Sequence, residues 1–222
     1  KINSEKSLKR GGEEFVKLNL FEHQNMAEVD RSILLNNIYG VDLNSESTEI
    51  TKLALWLKTA KKDEPLQNLD ANIKCGNSLI DDPNVAGDKA FNWNEEFKDI
   101  MDNGGFDVII GNPPYVFARE KVNNIDKNYY SRYYYSSEYQ VNTFVLFIEK
   151  AIKLLKNGGY LGFIVPNSLL QLSSISKLRQ YILTNTSVKE IVNLCGYSFE
   201  GVNVETVILV LKKGNVTNDI KV

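Results

Sequence analysis

One tetrapeptide in this sequence combines a side chain and a backbone suited to holding an amino group. Asn112-Pro113-Pro114-Tyr115 follows FDVIIG, an apolar run predicted to be a buried strand. Two consecutive prolines cannot continue a sheet ladder, and they stiffen the backbone where the strand ends. The Asn112 side-chain oxygen and the Pro113 carbonyl can both accept hydrogen bonds from one exocyclic amine, and Tyr115 can stack on the ring that bears this amine.

Such an arrangement predicts chemistry by positioning. Two acceptors draw the amine nitrogen out of conjugation and direct its lone pair at an electrophile, so that no acid, base or metal is needed. His23 is the only histidine, which argues against a histidine triad or a zinc site, and we expect no metal. The structural alternative is an ordinary proline turn, but Asn-Pro-Pro-Tyr directly after an apolar strand favours a functional role.

The composition limits the kinds of partner. Lys and Arg number 26 against 28 Asp and Glu, which gives a net charge of −2. Binding of duplex DNA usually requires a basic excess, so a local patch or another part of the protein would have to supply most of the affinity. The sequence has no run of 18 apolar residues and no signal-peptide pattern, and we expect a cytoplasmic protein without a membrane partner.

Strand and helix patterns alternate along most of the chain, which predicts an α/β fold with a mostly parallel sheet. A helix after Asn44 or Ser45 carries Ile50, Leu53, Ala54 and Leu57 on one face. The strands predicted to be parallel are residues 38–43, 72–79, 106–111 and 160–166. The other predicted helices are residues 27–36, 143–156 and 174–184. Residues 188–195 and 204–212 are predicted to form an antiparallel pair of strands.

Polar residues or proline follow or end all four predicted parallel strands. These residues are Asp42, Asn77, Asn112 and Pro166. Parallel sheets bind ligands at the carboxyl ends of their strands, so we expect the functional site at this edge of the sheet.

Several segments, in order, resemble the γ-class N6-adenine-specific DNA methyltransferases, in particular the methylase region of type IIG restriction–modification enzymes and related phage-defence methylases. The segments are IYGVDLNSESTEITKLALWLK (38–58), IKCGNSLI (73–80), FDVIIGNPPYV (106–116), FIEKAIKLLKNGGYLGFIVPNSLL (147–170) and GYSFEGVNVETVILVLKK (196–213). The resemblance covers most of the chain from about Ile33. It implies a Rossmann-like S-adenosylmethionine-dependent methyltransferase fold with an antiparallel C-terminal hairpin.

The resemblance also implies residues that bind the cofactor. Asp42 would accept hydrogen bonds from the ribose hydroxyls, and Leu43 would lie beside the cofactor adenine. Asn77 would contact the amino group of that adenine without the charge of the aspartate found in many relatives. Ser78 and Pro113 would complete this set. The alternatives are a helix-capping role for Asp42 and a turn-forming role for Asn77.

For the DNA, the resemblance implies a duplex with one adenine flipped out of the helix. Phe199 matches the aromatic residue that stacks on the flipped base opposite Tyr115. The alternative is a core phenylalanine, although GYSFEG supplies few apolar neighbours. The catalytic residues implied are Asn112 to Tyr115.

A Tyr-rich segment, residues 116–140, is predicted to be a loop insert. It contains Tyr129, Tyr130, Tyr133, Tyr134, Tyr135 and Tyr139, interleaved with Lys121, Lys127 and Arg132. Three interpretations remain open: a surface for unpaired bases, a lid that orders with DNA, or a loop that packs on its own domain.

The sequence departs from the family at the first motif, an Asp-Pro-x-Cys-Gly-Ser-Gly turn that has no counterpart here. We therefore expect residues 1–222 to be a partial catalytic domain that lacks the first strand, with a poorly ordered lead-in at 1–30. The S-adenosylmethionine site would be incomplete, and the missing domains of the same polypeptide would be partners. Uncovered sheet edges would also favour self-association of the fragment.

The predicted function is methyl transfer from S-adenosylmethionine to N6 of adenine in DNA within a restriction–modification enzyme. Because Asn-Pro-Pro-Tyr suits any planar amine or amide nitrogen, an RNA or protein-glutamine methyltransferase is the first alternative. A catalytically silent specificity or scaffold subunit is the second.

Overall fold

Two hydrogen-bonded sheets occur in the described parts of the chain. The computed structural model describes residues 29–60, 67–115, 124–137, 142–197 and 204–214. They belong to two units, residues 1–77 and 78–222, each of which is considered by itself. The expected lead-in at 1–30 lies almost entirely outside the described residues.

The elements follow one another largely as predicted. Residues 29–36 are helical. The strands are β1 (Gly40–Asp42), β2 (Ile73–Cys75), β3 (Phe106–Gly111), β4 (Leu155–Pro166), β5 (Thr186–Tyr197) and β6 (Glu205–Lys213). The helices are α1 (Ser45–Thr59), α2 (Pro83–Ala86), α3 (Trp93–Glu96), α4 (Lys98–Asp102), α5 (Asn124–Tyr133), α6 (Thr143–Leu154), α7 (Ser168–Gln171) and α8 (Ser176–Asn185), with 3-10 turns at Gly87–Lys89 and Ser173–Ile175.

In the first unit, β1 and β2 pair in parallel, with Asp42 opposite Cys75. Leu34, Leu69 and Ile73, the last of which belongs to β2, form a small buried core. Asn72 links β2 to the segment before β1, because its side-chain amide donates to the carbonyls of Leu35 and Ile38 at 2.9 and 3.0 Å.

Helix α1 is present as predicted, but its apolar face is not covered. Ile50, Leu53 and Leu57 are exposed, whereas Lys52 is buried. Lys52 Nζ donates to Glu49 and Asp70 at 2.9 and 2.6 Å, which satisfies its charge on the packed side of the helix.

In the second unit, four strands form one sheet in the order β3-β4-β6-β5. The pair β3–β4 is parallel, and β6 runs antiparallel to both β4 and β5. Helices α6 and α8 contribute Phe144, Ile148, Ile152, Leu178 and Ile182 to a core shared with Leu161, Phe163, Val165, Leu209 and Leu211 of the sheet. The predicted C-terminal hairpin is therefore present. The four strands predicted to form one parallel sheet instead form two parallel pairs in the described residues, one in each of the two sheets.

The junction between β3 and β4 depends on one glycine. The register shifts between Phe106 and Val108, so that β4 passes close to the β3 backbone. A Cβ atom on Gly159 would lie 2.9 Å from the Phe106 carbonyl oxygen and 3.0 Å from that of Asp107. A larger residue at this position would push the two strands apart.

Part of the Tyr-rich segment is helical, where the sequence predicted a loop. Helix α5 lies within it, and the buried rings of Tyr129, Tyr130 and Tyr134 pack with Leu146 and Ile80. The hydroxyl of Tyr134 donates to the Leu79 carbonyl at 2.7 Å. These contacts favour the interpretation in which the segment packs on its own domain, for the residues described. Lys121 and Tyr139 lie outside those residues.

Within the described ranges, no helix is both long and apolar enough to cross a membrane. The same residues contain no group of three His, Cys, Asp or Glu side chains arranged to hold a metal ion.

Candidate active site

The four polar or proline residues predicted at strand ends fall into two pairs, and each pair lies at the carboxyl ends of two parallel strands. Asp42 ends β1 and Asn77 follows β2, and these two strands are parallel. Asn112 follows β3 and Pro166 ends β4, and this pair is also parallel, with Gly111 opposite Phe163. The carboxyl-end placement that the sequence predicted is therefore found within each unit.

The residues of the Asn-Pro-Pro-Tyr box differ in their burial. Asn112 and Pro114 are exposed, Pro113 is buried, and Tyr115 is half-buried. The last residue of β3 before the box, Gly111, lies close to the ring of Phe163 in β4. A Cβ atom added to Gly111 would be 3.2 Å from this ring. The Asn112 side chain is exposed at the end of β3. The strand itself is half-buried to exposed in this structure, so the prediction of a buried strand was wrong.

Tyr115 is held by polar and aromatic contacts. Its hydroxyl lies 2.8 Å from Asn112 Oδ1 and 3.0 Å from the Ile164 carbonyl oxygen in β4. Its ring meets the Phe144 ring edge-on, with centroids 6.3 Å apart and an interplanar angle of 86°. Burial raises the pKa of the Tyr115 hydroxyl, so it remains a proton donor.

The second proline has its own contact. Thr143 Oγ1, in the first turn of α6, donates to the Pro114 carbonyl at 2.5 Å. The box is therefore connected both to β4, through Tyr115, and to α6, through Pro114 and the Phe144 ring. Local sequence reasoning identified the box but none of these three partners, because they lie between 29 and 49 residues further along the chain.

Asp42 does not cap the helix that follows it. Asn44 is the N-cap of α1, and its side chain accepts from the Ser47 amide at 2.9 Å. Asp42 Oδ1 instead accepts the amide of Asn44 at 2.8 Å. Because Asp42 and the neighbouring Leu43 are exposed, a carboxylate oxygen and an apolar side chain remain accessible after β1.

The other predicted cofactor contacts are only partly accessible. Asn77 is half-buried and has interactions of its own. Ser78 is also half-buried, and its carbonyl accepts from the indole of Trp93 at 3.0 Å. Phe199 lies outside the described residues, between the ends of β5 and β6.

A buried carboxylate that sequence reasoning missed lies at the end of the Tyr-rich segment. Glu149 of α6 is fully buried and accepts the amides of Tyr135 and Ser136 at 3.0 and 2.8 Å. It also accepts the Ser136 hydroxyl at 2.6 Å and forms an ion pair with Lys153 at 2.7 Å. This cluster anchors the segment to the same helix that contacts the Asn-Pro-Pro-Tyr box.

Comparison with known families gives a match over most of the chain. The model of the Eco57I restriction-modification methylase family matches residues 36–199. The chain belongs to this family. The match begins just before β1 and extends beyond the described part of β5, so it includes Asp42, the Asn112 box and Phe199.

Individual members support the assignment and show how much of the protein the chain represents. RM.Eco57I of Escherichia coli, a type II restriction enzyme and methyltransferase, is 36% identical in an alignment 208 residues long that covers 86% of this chain and 20% of that protein. The type II methyltransferase M.HincII of Haemophilus influenzae is 30% identical over 79% of this chain and 38% of its own length. The chain therefore spans about a fifth of RM.Eco57I.

Solved structures confirm the α/β methyltransferase fold of this family member. The M protein of the type I restriction enzyme EcoKI matches 84% of this chain and 33% of its own, with a TM-score of 0.58 at 19% identity. The ATP-dependent type ISP restriction–modification enzyme LlaBIII, solved bound to DNA, matches 91% of this chain and 16% of its own, with a TM-score of 0.64 at 16% identity.

Proposed function

We propose that the full-length protein methylates N6 of adenine in DNA, as the methylase part of a restriction–modification enzyme. The observation that carries the proposal is the Asn112 amide, exposed at the carboxyl end of β3 with its oxygen bonded to Tyr115. That bond directs Oδ1 as an acceptor, and its second lone pair is available to an amine. Family membership and relatives that are restriction–modification methyltransferases support DNA as the substrate.

In this proposal, each residue of the box has one task. Asn112 Oδ1 and the Pro113 carbonyl accept the two N–H groups of the target amine, which aims the nitrogen lone pair away from the box. The exposed part of the Tyr115 ring stacks on the adenine, and Phe199 closes on its other face. The amine proton that is lost passes to solvent, since no basic side chain is required.

The residues after β1 fit S-adenosylmethionine chemically. Asp42 presents an exposed carboxylate, which suits a ribose diol, and the exposed side chain of Leu43 suits the face of an adenine. Asn77 is proposed to add a cofactor contact from the same unit, and Ser78 and Pro113 remain cofactor contacts predicted from the family resemblance. When bound, the cofactor supplies a methyl group activated on a sulfonium.

The experiment that tests the proposal identifies the methylated atom. Purified full-length protein is incubated with isotopically labelled S-adenosylmethionine and either duplex DNA, RNA or a glutamine-containing protein, and the digested products are separated by liquid chromatography and mass spectrometry. Label in N6-methyldeoxyadenosine supports the proposal. Label confined to RNA or to protein glutamine overturns it in favour of the corresponding alternative, and absence of label from all three favours a silent scaffold.

A further inference from the structure

The contact between Thr143 and Pro114 restrains a backbone torsion inside the Asn-Pro-Pro-Tyr box. The Pro113 carbonyl and the Tyr115 ring are separated by two planar peptide groups, by the φ and ψ torsions of Pro114, and by φ, χ1 and χ2 of Tyr115. Contacts of the ring and the hydroxyl with Phe144 and Ile164 restrain the Tyr115 side chain. The pyrrolidine ring already restricts φ of Pro114 to about −65°. Of the two Pro114 torsions, ψ therefore remains free to change the placement of the Pro113 carbonyl relative to Tyr115.

Rotation about ψ moves the Pro114 carbonyl oxygen, and this oxygen is the atom that Thr143 holds. Thr143 Oγ1 donates to it at 2.5 Å from the first turn of α6. The helix end is itself well fixed. Asn142, which precedes Thr143, is the N-cap of α6 and is buried. Phe144, which follows Thr143, is fully buried in the core.

Thr143 and Phe144 therefore hold two neighbouring groups that both follow this torsion along the chain. Phe144 meets the Tyr115 ring edge-on, and the Thr143 hydroxyl fixes the carbonyl that precedes Tyr115. The Tyr115 hydroxyl is held independently near the Ile164 carbonyl. Loss of the Thr143 hydroxyl would leave the ring anchored while the Pro113–Pro114 backbone gained freedom.

We propose that Thr143 is a positioning residue for methyl transfer, and this inference rests on the proposed function. Its hydroxyl sets the angle between the amine acceptor at Pro113 and the stacking surface at Tyr115. The target base is held by both groups together, so an error in this angle moves the amine nitrogen away from the line of attack. Small misplacements of reacting atoms reduce the rate of the chemical step more than they reduce binding.

The test compares three variants of the full-length enzyme with the wild type. Thr143→Val removes the hydroxyl at nearly constant shape, and Thr143→Ser retains it. Thr184→Val is the matched control, because Thr184 is exposed and its hydroxyl donates only within its helix, to Gln180 at 2.8 Å. We expect Thr143→Val to lower kcat about tenfold, with KM for DNA and cofactor within about twofold of wild type. Thr143→Ser and Thr184→Val should retain most of the wild-type kcat.

A stability measurement separates positioning from folding. The thermal midpoint of Thr143→Val should stay close to that of Thr184→Val, since the hydrogen bond to Pro114 is partly exposed to solvent. Equal kcat for Thr143→Val and wild type would overturn the positioning role, as would a Thr143→Ser enzyme as slow as Thr143→Val. A loss of kcat that follows the loss of folded enzyme would overturn it too. If wild-type enzyme does not methylate adenine, the proposed function itself fails, and this inference fails with it.

Discussion

The hydroxyl of Tyr115 lies 2.8 Å from Asn112 Oδ1, so the aromatic ring and the amide of the box are fastened to each other. The Ile164 carbonyl, at 3.0 Å, is a second acceptor for the same proton. Tyr115 therefore has two separable properties, a ring for stacking and a hydroxyl that orients an amide.

Replacement of Tyr115 by Phe separates these properties. The ring remains, but the amide of Asn112 loses the donor that directs its oxygen, so we expect a three- to tenfold lower single-turnover rate, or about 1 kcal/mol. Tyr115→Ala should lose considerably more, because stacking is lost as well. Equal rates for Tyr115→Phe and wild type would show that the hydroxyl has no part in catalysis.

The pH dependence of the rate tests the protonation of Tyr115. Burial raises the pKa of this hydroxyl, which means that the donor form persists to higher pH than for a free tyrosine. Between pH 7 and about pH 9, the single-turnover rates of wild type and Tyr115→Phe should therefore change in parallel. A falling limb in this range that disappears in Tyr115→Phe would contradict the assignment.

Asp42→Asn tests the ribose contact without disturbing the loop. The amide oxygen of Asn can still accept the Asn44 amide, but the charged acceptor for hydroxyl groups is lost. We expect about tenfold weaker S-adenosylmethionine binding by calorimetry on the full-length protein. Asp82→Asn is the control, because Asp82 accepts the Asn84 amide at 2.8 Å in the same local pattern. Similar affinities for both variants would leave Asp42 with a purely structural role.

Glu149 predicts a dependence of stability on pH. Burial alone would raise its pKa, but the hydrogen bonds from Lys153 and Ser136 outweigh burial and lower the pKa below the ordinary 4.5. A lowered folded-state pKa contributes stability that is fully present above pH 4.5 and is lost as the pH falls through the folded-state value.

Denaturant titrations measure this contribution. Glu149→Ala leaves the amides of Tyr135 and Ser136 without their acceptor and should lower the free energy of unfolding by about 3 kcal/mol. Glu149→Gln should lose less and should flatten the acid dependence of stability. The exposed Glu190→Gln is the control. A wild type and a Glu149→Gln variant with the same acid dependence would refute the role of this carboxylate.

An exposed apolar strand supports the expected self-association of the 222-residue chain. β3 is an edge strand of its sheet in the described residues, and Val108 and Ile110 are 57% and 79% exposed. Edge strands with exposed apolar side chains favour pairing with another copy. Light scattering should show a mass that rises with concentration, and Ile110→Lys should reduce this rise more than Leu183→Lys on α8. A constant monomer mass would argue against it.

The order of the elements could be predicted from the sequence because each element carries a local signal. The apolar run before Asn112 and the β-rich runs of the hairpin identified β3, β5 and β6. Helix α1 was also predicted, but periodicity reports only that an apolar stripe exists. It does not report whether the chain covers that stripe, and here Leu53 and Leu57 are exposed.

The supports of the candidate site could not be predicted, since they arise from tertiary contacts. Nothing in the sequence near Thr143 or Ile164 indicates that these residues hold Pro114 and Tyr115. The helix within the Tyr-rich segment was not predicted for a related reason. The segment was predicted to be a loop insert, whereas part of it is helical and three of its rings are buried against Leu146 and Ile80.

The most direct test of the account is the rate at which the full-length Asn112→Ala enzyme methylates adenine in duplex DNA. Asn103→Ala serves as the control, because that exposed amide donates only to the Asp99 carbonyl. If this amide holds the target amine, the single-turnover rate should be at least about a hundredfold below wild type, with cofactor affinity and thermal midpoint close to those of Asn103→Ala. An Asn112→Ala enzyme that methylates adenine as fast as Asn103→Ala would contradict the claim that this amide holds the amine.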